Sequence, residues 1–212
     1  MHWNVLIRKT VVSTLIGVLV LLALMIGVLS LFFPQTMMRI TYDMGMDKAS
    51  VGFALTAYDR FGAVDYVGFA ANTALKADMH ERAEMCIERL LDDEDFDDYC
   101  ERRNEERKGE ALNALFQDYY PRQLCLSIYW QGDGNRAIDR AVELIGDSFA
   151  EGNPFIMVAN RAIRDEQAGA QTLQYAYEKM DDISAGSVYL AYSDADKSRF
   201  DQVFSVIGER LG

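Results

Sequence analysis

The chain has 212 residues, half of them apolar and a quarter charged, the size of one domain or of one domain plus an attachment. It carries 21 lysines and arginines against 33 aspartates and glutamates. That balance excludes a nucleic-acid binder working through a clustered basic surface, and flat adsorption of the whole domain on anionic lipid.

Residues 1–10 form a short basic tail with Arg8 and Lys9, and no charged residue follows between Thr10 and Met38. Residues 11–33 contain only Ser13, Thr14 and Ser30 as polar members. At 1.5 Å per residue the run covers roughly 35 Å, enough for a hydrocarbon core of about 30 Å. Lipid offers backbone amides no partner, so the run is expected to be a transmembrane helix. A secretory signal has a shorter apolar run, about 7–15 residues, and ends in small side chains. The exit here is Leu31-Phe32-Phe33-Pro34-Gln35, which predicts an uncleaved anchor. Arg8, Lys9 and the amino terminus face Arg39 and Lys48 across it, which favours a cytoplasmic tail and an extracytoplasmic domain in the cell membrane. Gly17 and Gly27 do not form G-x-x-x-G, so nothing in the span specifies helix dimerisation.

Residues 34–212 carry 19 cations against 33 carboxylates, a net charge of about −14. Their apolar period stays near 3.6, so the domain is expected to be all-α. Met37, Ile40 and Met44 share a stripe that ends at Gly45; Ala49, Phe53, Ala57 and Phe61 share the next, ended by Gly62. Residues 64–76 are rich in alanine on one face. Residues 79–91 put Met79, Ala83, Cys86, Ile87, Leu90 and Leu91 on one stripe. Further helices are expected from near Phe96, then over 109–119, 121–131, 135–149, 154–166, 169–182 and 197–211, about ten short helices in all. Pro121 and Pro154 are read as helix starts, and Asp133-Gly134-Asn135 and Glu151-Gly152-Asn153 as turns.

Ala49 and Ala83, 34 residues apart, open helices of the same phase. Ala137 does so after a step of 54, which is 34 with an insert of 20 residues falling on the acidic stretch near 92–110. Leu124, Cys125 and Ile128 precede Gly132 and Ala137-Ile138, with small residues where a helical hairpin would close. On these residues, residues 34–212 resemble a tetratricopeptide-type (TPR) α-helical-hairpin solenoid, although most units lack the aromatic of the first helix. The anchor, Phe33-Pro34 and Tyr42-Asp43-x-Gly45 also look like uncharacterised single-span proteins of Gram-positive anaerobes, a likeness that implies no activity.

Catalytic constellations are absent from the sequence. His80-Glu81-Arg82-Ala83-Glu84 has glutamate where H-E-x-x-H needs its second histidine, and the only other histidine is His2. Cys86, Cys100 and Cys125 make no C-x-x-C; Cys86 and Cys125 fall on apolar stripes, while a Cys86–Cys100 disulfide is open for an extracytoplasmic domain. In the string 92–98, Asp93, Asp95 and Asp97 alternate as in a Ca²⁺ loop. The sixth and twelfth loop positions would be Asp98 and Asn104 rather than glycine and glutamate, so a solvated loop that caps a helix is the favoured reading. No cofactor is expected.

A solenoid implies a concave face on which exposed tyrosines, tryptophans and amides recognise a peptide. Tyr120, Tyr129 and Trp130 from the aromatic hairpin, with Asn72, Asn113, Gln117 and Asn160, are the candidate partner-binding residues. The expected function is a membrane-anchored protein–protein interaction module, a scaffold or accessory subunit, whose partner is a protein or peptide suited to an acidic surface by being basic. Two alternatives stand beside it: a structural subunit that self-associates within a larger membrane complex, and a metal- or ligand-binding helical domain.

Overall fold

The computed structural model describes residues 2–108, 115–146, 148–150, 152–165 and 169–212, with the backbone alone for residues 2–9. Twelve helices and no strand occur among the described residues. α1 (His2–Phe32) begins inside the basic tail, and its 23 residues Thr10–Phe32 are long and apolar enough to cross a membrane, with none of that stretch buried by the domain. Phe33 leaves helical geometry, and Pro34, which has no N–H to lose, starts α2 (Pro34–Asp43).

α3 (Asp47–Phe61), α4 (Val64–Lys76) and α5 (His80–Leu91) follow, each packed on the helix before it. α2 and α3 are also tied by Ser50 Oγ donating to the Met38 carbonyl at 3.0 Å. The α2–α3 and α4–α5 turns share one device. Gly45 N–H donates to Tyr42 and Met46 N–H to Thr41; Asp78 N–H donates to Leu75 and Met79 N–H to Ala74. This 5→2 and 6→1 pairing satisfies the last carbonyls of a helix and requires a left-handed residue between them. Gly45 takes it at φ 71° and Asp78 at φ 52°, and Gly132, after α7 (Phe116–Trp130), takes a left-handed φ of 86°. The spacing of 45, 78 and 132 follows the repeat of 49, 83 and 137 found in the sequence to within a residue.

α5 packs directly on α7, and α6 (Phe96–Glu106) lies beside α4 and α7. α7 corrects the sequence reading. Pro121 lies inside one helix from 116 to 130 rather than opening a second. Position 121 is the sixth of that helix, so its missing N–H costs one ladder bond, the one to the carbonyl of Gln117 in the first turn. α8 (Gly134–Glu143), α9 (Pro154–Arg164) and α10 (Gly169–Ser184) continue the packing, with α7 also on α9 and α8 on α10. Asp133 and Asn153 cap α8 and α9 by accepting from Arg136 N–H at 3.1 Å and Phe155 N–H at 2.7 Å. α11 (Ser187–Ala191), unforeseen in the sequence because it buries none of its residues, precedes α12 (Asp194–Leu211), whose N-cap is Ser193.

Candidate functional site

The site grows from the two faces of α4. One face buries Val67, Ala70, Ala71 and Ala74 against α3 and α5. A neighbouring face carries Phe69, Asn72, Thr73 and Lys76 at the i, i+3, i+4, i+7 spacing of a helix stripe. With Tyr42 from α2 and Tyr99 and Arg103 from α6, this stripe lines a pocket of about 310 Å³. On its other side, Asn72 and Lys76 join Tyr119, Gln123 and Trp130 of α7 and His80 of α5 around a second pocket of about 300 Å³. The two pockets share Asn72 and Lys76.

Its polar groups are held in place. Lys76 lies over the Tyr42 ring, 5.3 Å from its centroid, and donates to Tyr42 Oη at 3.3 Å, while Tyr42 packs edge-on against Phe69. Asn72 Nδ2 donates to the Gly68 carbonyl and to Tyr120 Oη, both at 2.9 Å. Tyr120 in turn lies 3.0 Å from Tyr99 Oη. Tyr120 Oη accepts from Asn72 and shares one proton with Tyr99 Oη, and Tyr99 stands at the wall of the first pocket. Burial pushes the pKa of both phenols up, so both stay protonated. At the far end Trp130 remains 43% exposed; the His80 ring stacks on it at 6.1 Å, and the Arg161 guanidinium sits 3.9 Å from its centroid. Asp78, in its left-handed conformation, also lines this end.

Of the residues expected from sequence, Asn72 and Trp130 come together on the second pocket. Tyr120 and Tyr129 are corrected to core positions: Tyr120 is fully buried in the hydroxyl chain, and Tyr129 is buried with its hydroxyl donating to Asp165 on the α9 side at 3.3 Å. Both lie on the apolar stripe of α7, so burying their rings against neighbouring helices outweighs exposing them. Gln117 lies elsewhere. Its Oε1 accepts from Asn104 at 2.8 Å, and Asn104 Oδ1 accepts from Phe116 N–H, which fastens α6 to the start of α7 beside a separate pocket of about 260 Å³. Asn160 is exposed on α9, next to Arg161. Asn113 lies outside the described residues, as do residues 109 and 110 of the acidic stretch.

The acidic string does structural work at Asp93. Its Oδ2 accepts from Tyr58 Oη at 2.6 Å and its Oδ1 from Asp95 N–H at 3.0 Å. The hydrogen bond to that carboxylate pushes the Tyr58 phenol up to about 12. Asp95 and Asp97 are exposed, and no group of three or more potential metal ligands is found among the described residues. All three cysteines, including the Cys86 and Cys100 whose pairing the sequence left open, are free and buried, and burial pushes their thiols up to about 11 at Cys86 and about 12 at Cys100 and Cys125.

Tyr42, Phe69, Lys76, Tyr99, Arg103, Tyr119, Gln123 and Arg161 were not foreseen. One signal was present for two of them: Tyr42 and Lys76 stand 34 residues apart, near the ends of α2 and α4. No family model, curated protein or solved structure matches the chain.

Proposed function

We propose that this chain is a membrane-anchored protein–protein interaction module. In this reading its hairpins form a TPR-like solenoid, the domain is extracytoplasmic, and the depression over α4 takes an extended segment of a protein partner. The observation that carries it is the pair of pockets joined through Asn72 and Lys76. Together they offer a ridge of phenols, an indole, an amide and an ammonium already held by neighbouring side chains. Such pre-ordered aromatic and amide groups bind a peptide backbone with little further loss of side-chain freedom. A left-handed non-glycine residue at the rim, Asp78, is the kind of conformational cost that persists where a side chain is needed. The net acidity of the domain favours a partner that is basic outside the bound segment, with association that weakens as salt rises. Lys76 and Arg103 favour an acidic side chain or carbonyl within it. Anchoring raises the local concentration of the groove near membrane partners.

A photo-crosslinking residue at Gln123, inside the groove, tests this against one at Met85, exposed on α5. The expected outcome is a partner adduct from position 123 that Trp130→Ala abolishes, and none from position 85. Adducts from position 85 alone, or from both positions equally, would overturn the groove. A Ser205→Cys variant reports the side of the membrane, since the native thiols are buried and Ser205 is exposed.

One observation favours the self-associating subunit as a second reading. Val188, Leu190, Val206 and Leu211 are exposed at the end of the stack, with Leu190 at 74%. That reading predicts a concentration-dependent mass for the full chain in detergent that Leu190→Asp reduces; the groove reading predicts no change.

A further inference from the structure

Arg60 and Phe61 end α3, and Gly62 turns the chain into α4 in a left-handed conformation with its N–H donating to Tyr58. The Arg60 guanidinium donates to the carbonyl of Leu31, in the last turn of α1. The final carbonyls of a helix have no intrahelical partner, and a cation there also suits the helix dipole. A side chain bonded to Leu31 sits at the depth where the span leaves the hydrocarbon, so Arg60 fixes the height of the whole α3–α4 corner. Phe61 stands beside it at 48% exposure, with the Arg60 guanidinium 5.5 Å from its ring and Tyr66 at 6.2 Å. Phe32 and Phe33, exposed at the end of α1 and just beyond it, lie at the same level along the chain.

We infer that the Arg60-Phe61 corner is a second membrane contact, seated in the lipid headgroup region beside the exit of α1. The inference rests on α1 being the span. The occupant follows from continuity with that helix: whatever surrounds Phe32 also meets the corner bonded to Leu31. Charge agrees. The two carboxylates flanking the corner, Asp59 and Asp65, are paired with Arg89 and Arg102 at 3.1 Å each, which leaves Arg60 as the cation facing headgroup phosphates. An aromatic ring beside a guanidinium, with a phenol next to it, is the side-chain mixture that settles between hydrocarbon and water. The contact gives the domain one fixed attitude on the membrane, whereas a single helix followed by a free joint would let it swing.

The test uses the full chain in phosphatidylcholine vesicles without bromine, with bromine on the acyl chains near the glycerol, and with bromine near the acyl-chain ends, the last serving the tryptophan in the middle of the span. Trp3 and Trp130 are replaced by phenylalanine, and a single tryptophan is placed by Leu22→Trp in the span, Phe61→Trp at the corner or Met44→Trp at the opposite end of the α2–α3 hairpin. Circular dichroism checks that each variant keeps its helix content. Bromolipid is expected to quench Phe61→Trp by at least about half as much as Leu22→Trp and to leave Met44→Trp unquenched, since ten residues of α2 put roughly 15 Å between them. Strong quenching of Leu22→Trp with Phe61→Trp no better quenched than Met44→Trp would overturn the corner contact while the span stands. Loss of quenching at Leu22→Trp would overturn the span and the corner together. Equal quenching at Phe61 and Met44 would overturn the corner as a localised seat.

Discussion

The hairpins around α4 and those that close the chain solve the same packing problem with opposite side chains. Around α4 the buried residues are small: Ala70, Ala71 and Ala74 let α3 and α5 approach, and Gly68 leaves room for the Tyr99 ring of α6 directly over it. Helix separation follows the size of the side chains at the contact, so this region is built on close backbone approach. In the last part of the chain the interior is a cluster of rings. Phe149, Phe155, Tyr189, Tyr192 and Phe200 contact one another, with Phe200 at 5.2 Å from both Phe149 and Tyr189, and Tyr177 stacks on Phe204 at 4.6 Å. The difference teaches where function can be read. Aromatics crowd the C-terminal part because they fill it. Around α4, where the buried face is built largely of alanines, phenols, an indole and amides on the neighbouring face line an open depression.

The contrast can be broken from the aromatic side first. Phe200→Ala removes a fully buried ring at the centre of the cluster and is expected to destabilise the domain by about 3–5 kcal/mol, read as a lower denaturant midpoint. Loss of less than about 1 kcal/mol would mean that the cluster is ornament to a core held elsewhere. From the alanine side, Ala71→Leu adds volume at a position with no exposure and is expected to cost about 1–3 kcal/mol by forcing α4 away from its neighbours. If that leucine were neutral, close approach would not be what organises this region.

Two smaller effects sharpen the comparison at the hairpin turns and at the outer contacts. Asp78→Gly gives the α4–α5 turn the residue that its α2–α3 and α7–α8 counterparts use, and is expected to raise stability by about 0.5–1 kcal/mol, measured by thermal melting. The same variant should weaken partner binding if the Asp78 side chain belongs to the groove. Tyr58 ties α3 to Asp93 just ahead of α6, and its phenol is raised from 10.0 to about 12 in the folded chain. A raised folded pKa contributes stability that is complete below the unfolded value and is lost as pH rises through the folded one. Stability is therefore expected to fall between pH 10 and about 12, and Tyr58→Phe should remove the share of that fall due to this contact, seen as a shallower dependence of melting on pH.

Much of the architecture was legible from residue order alone. A run of 23 apolar residues can only be a helix in lipid, the 3.6 period of the remainder can only bury a stripe as a helix, and the left-handed turns at Gly45 and Gly132 sit where glycine allows them. Tertiary structure decided the rest, because a period shows which stripe is buried and leaves open what buries it. Tyr120 looked like a groove residue until Asn72, 48 residues away, and Tyr99, 21 away, supplied its partners. Pro121 looked like a helix start until Phe116 opened the helix one turn earlier, with its N–H bonded to Asn104. Asp93 looked available to a cation until Tyr58 met it from 35 residues away. Each of these outcomes depends on a partner far along the chain, and the energy of a hydrogen bond or a ring contact exists only once packing has brought the two together.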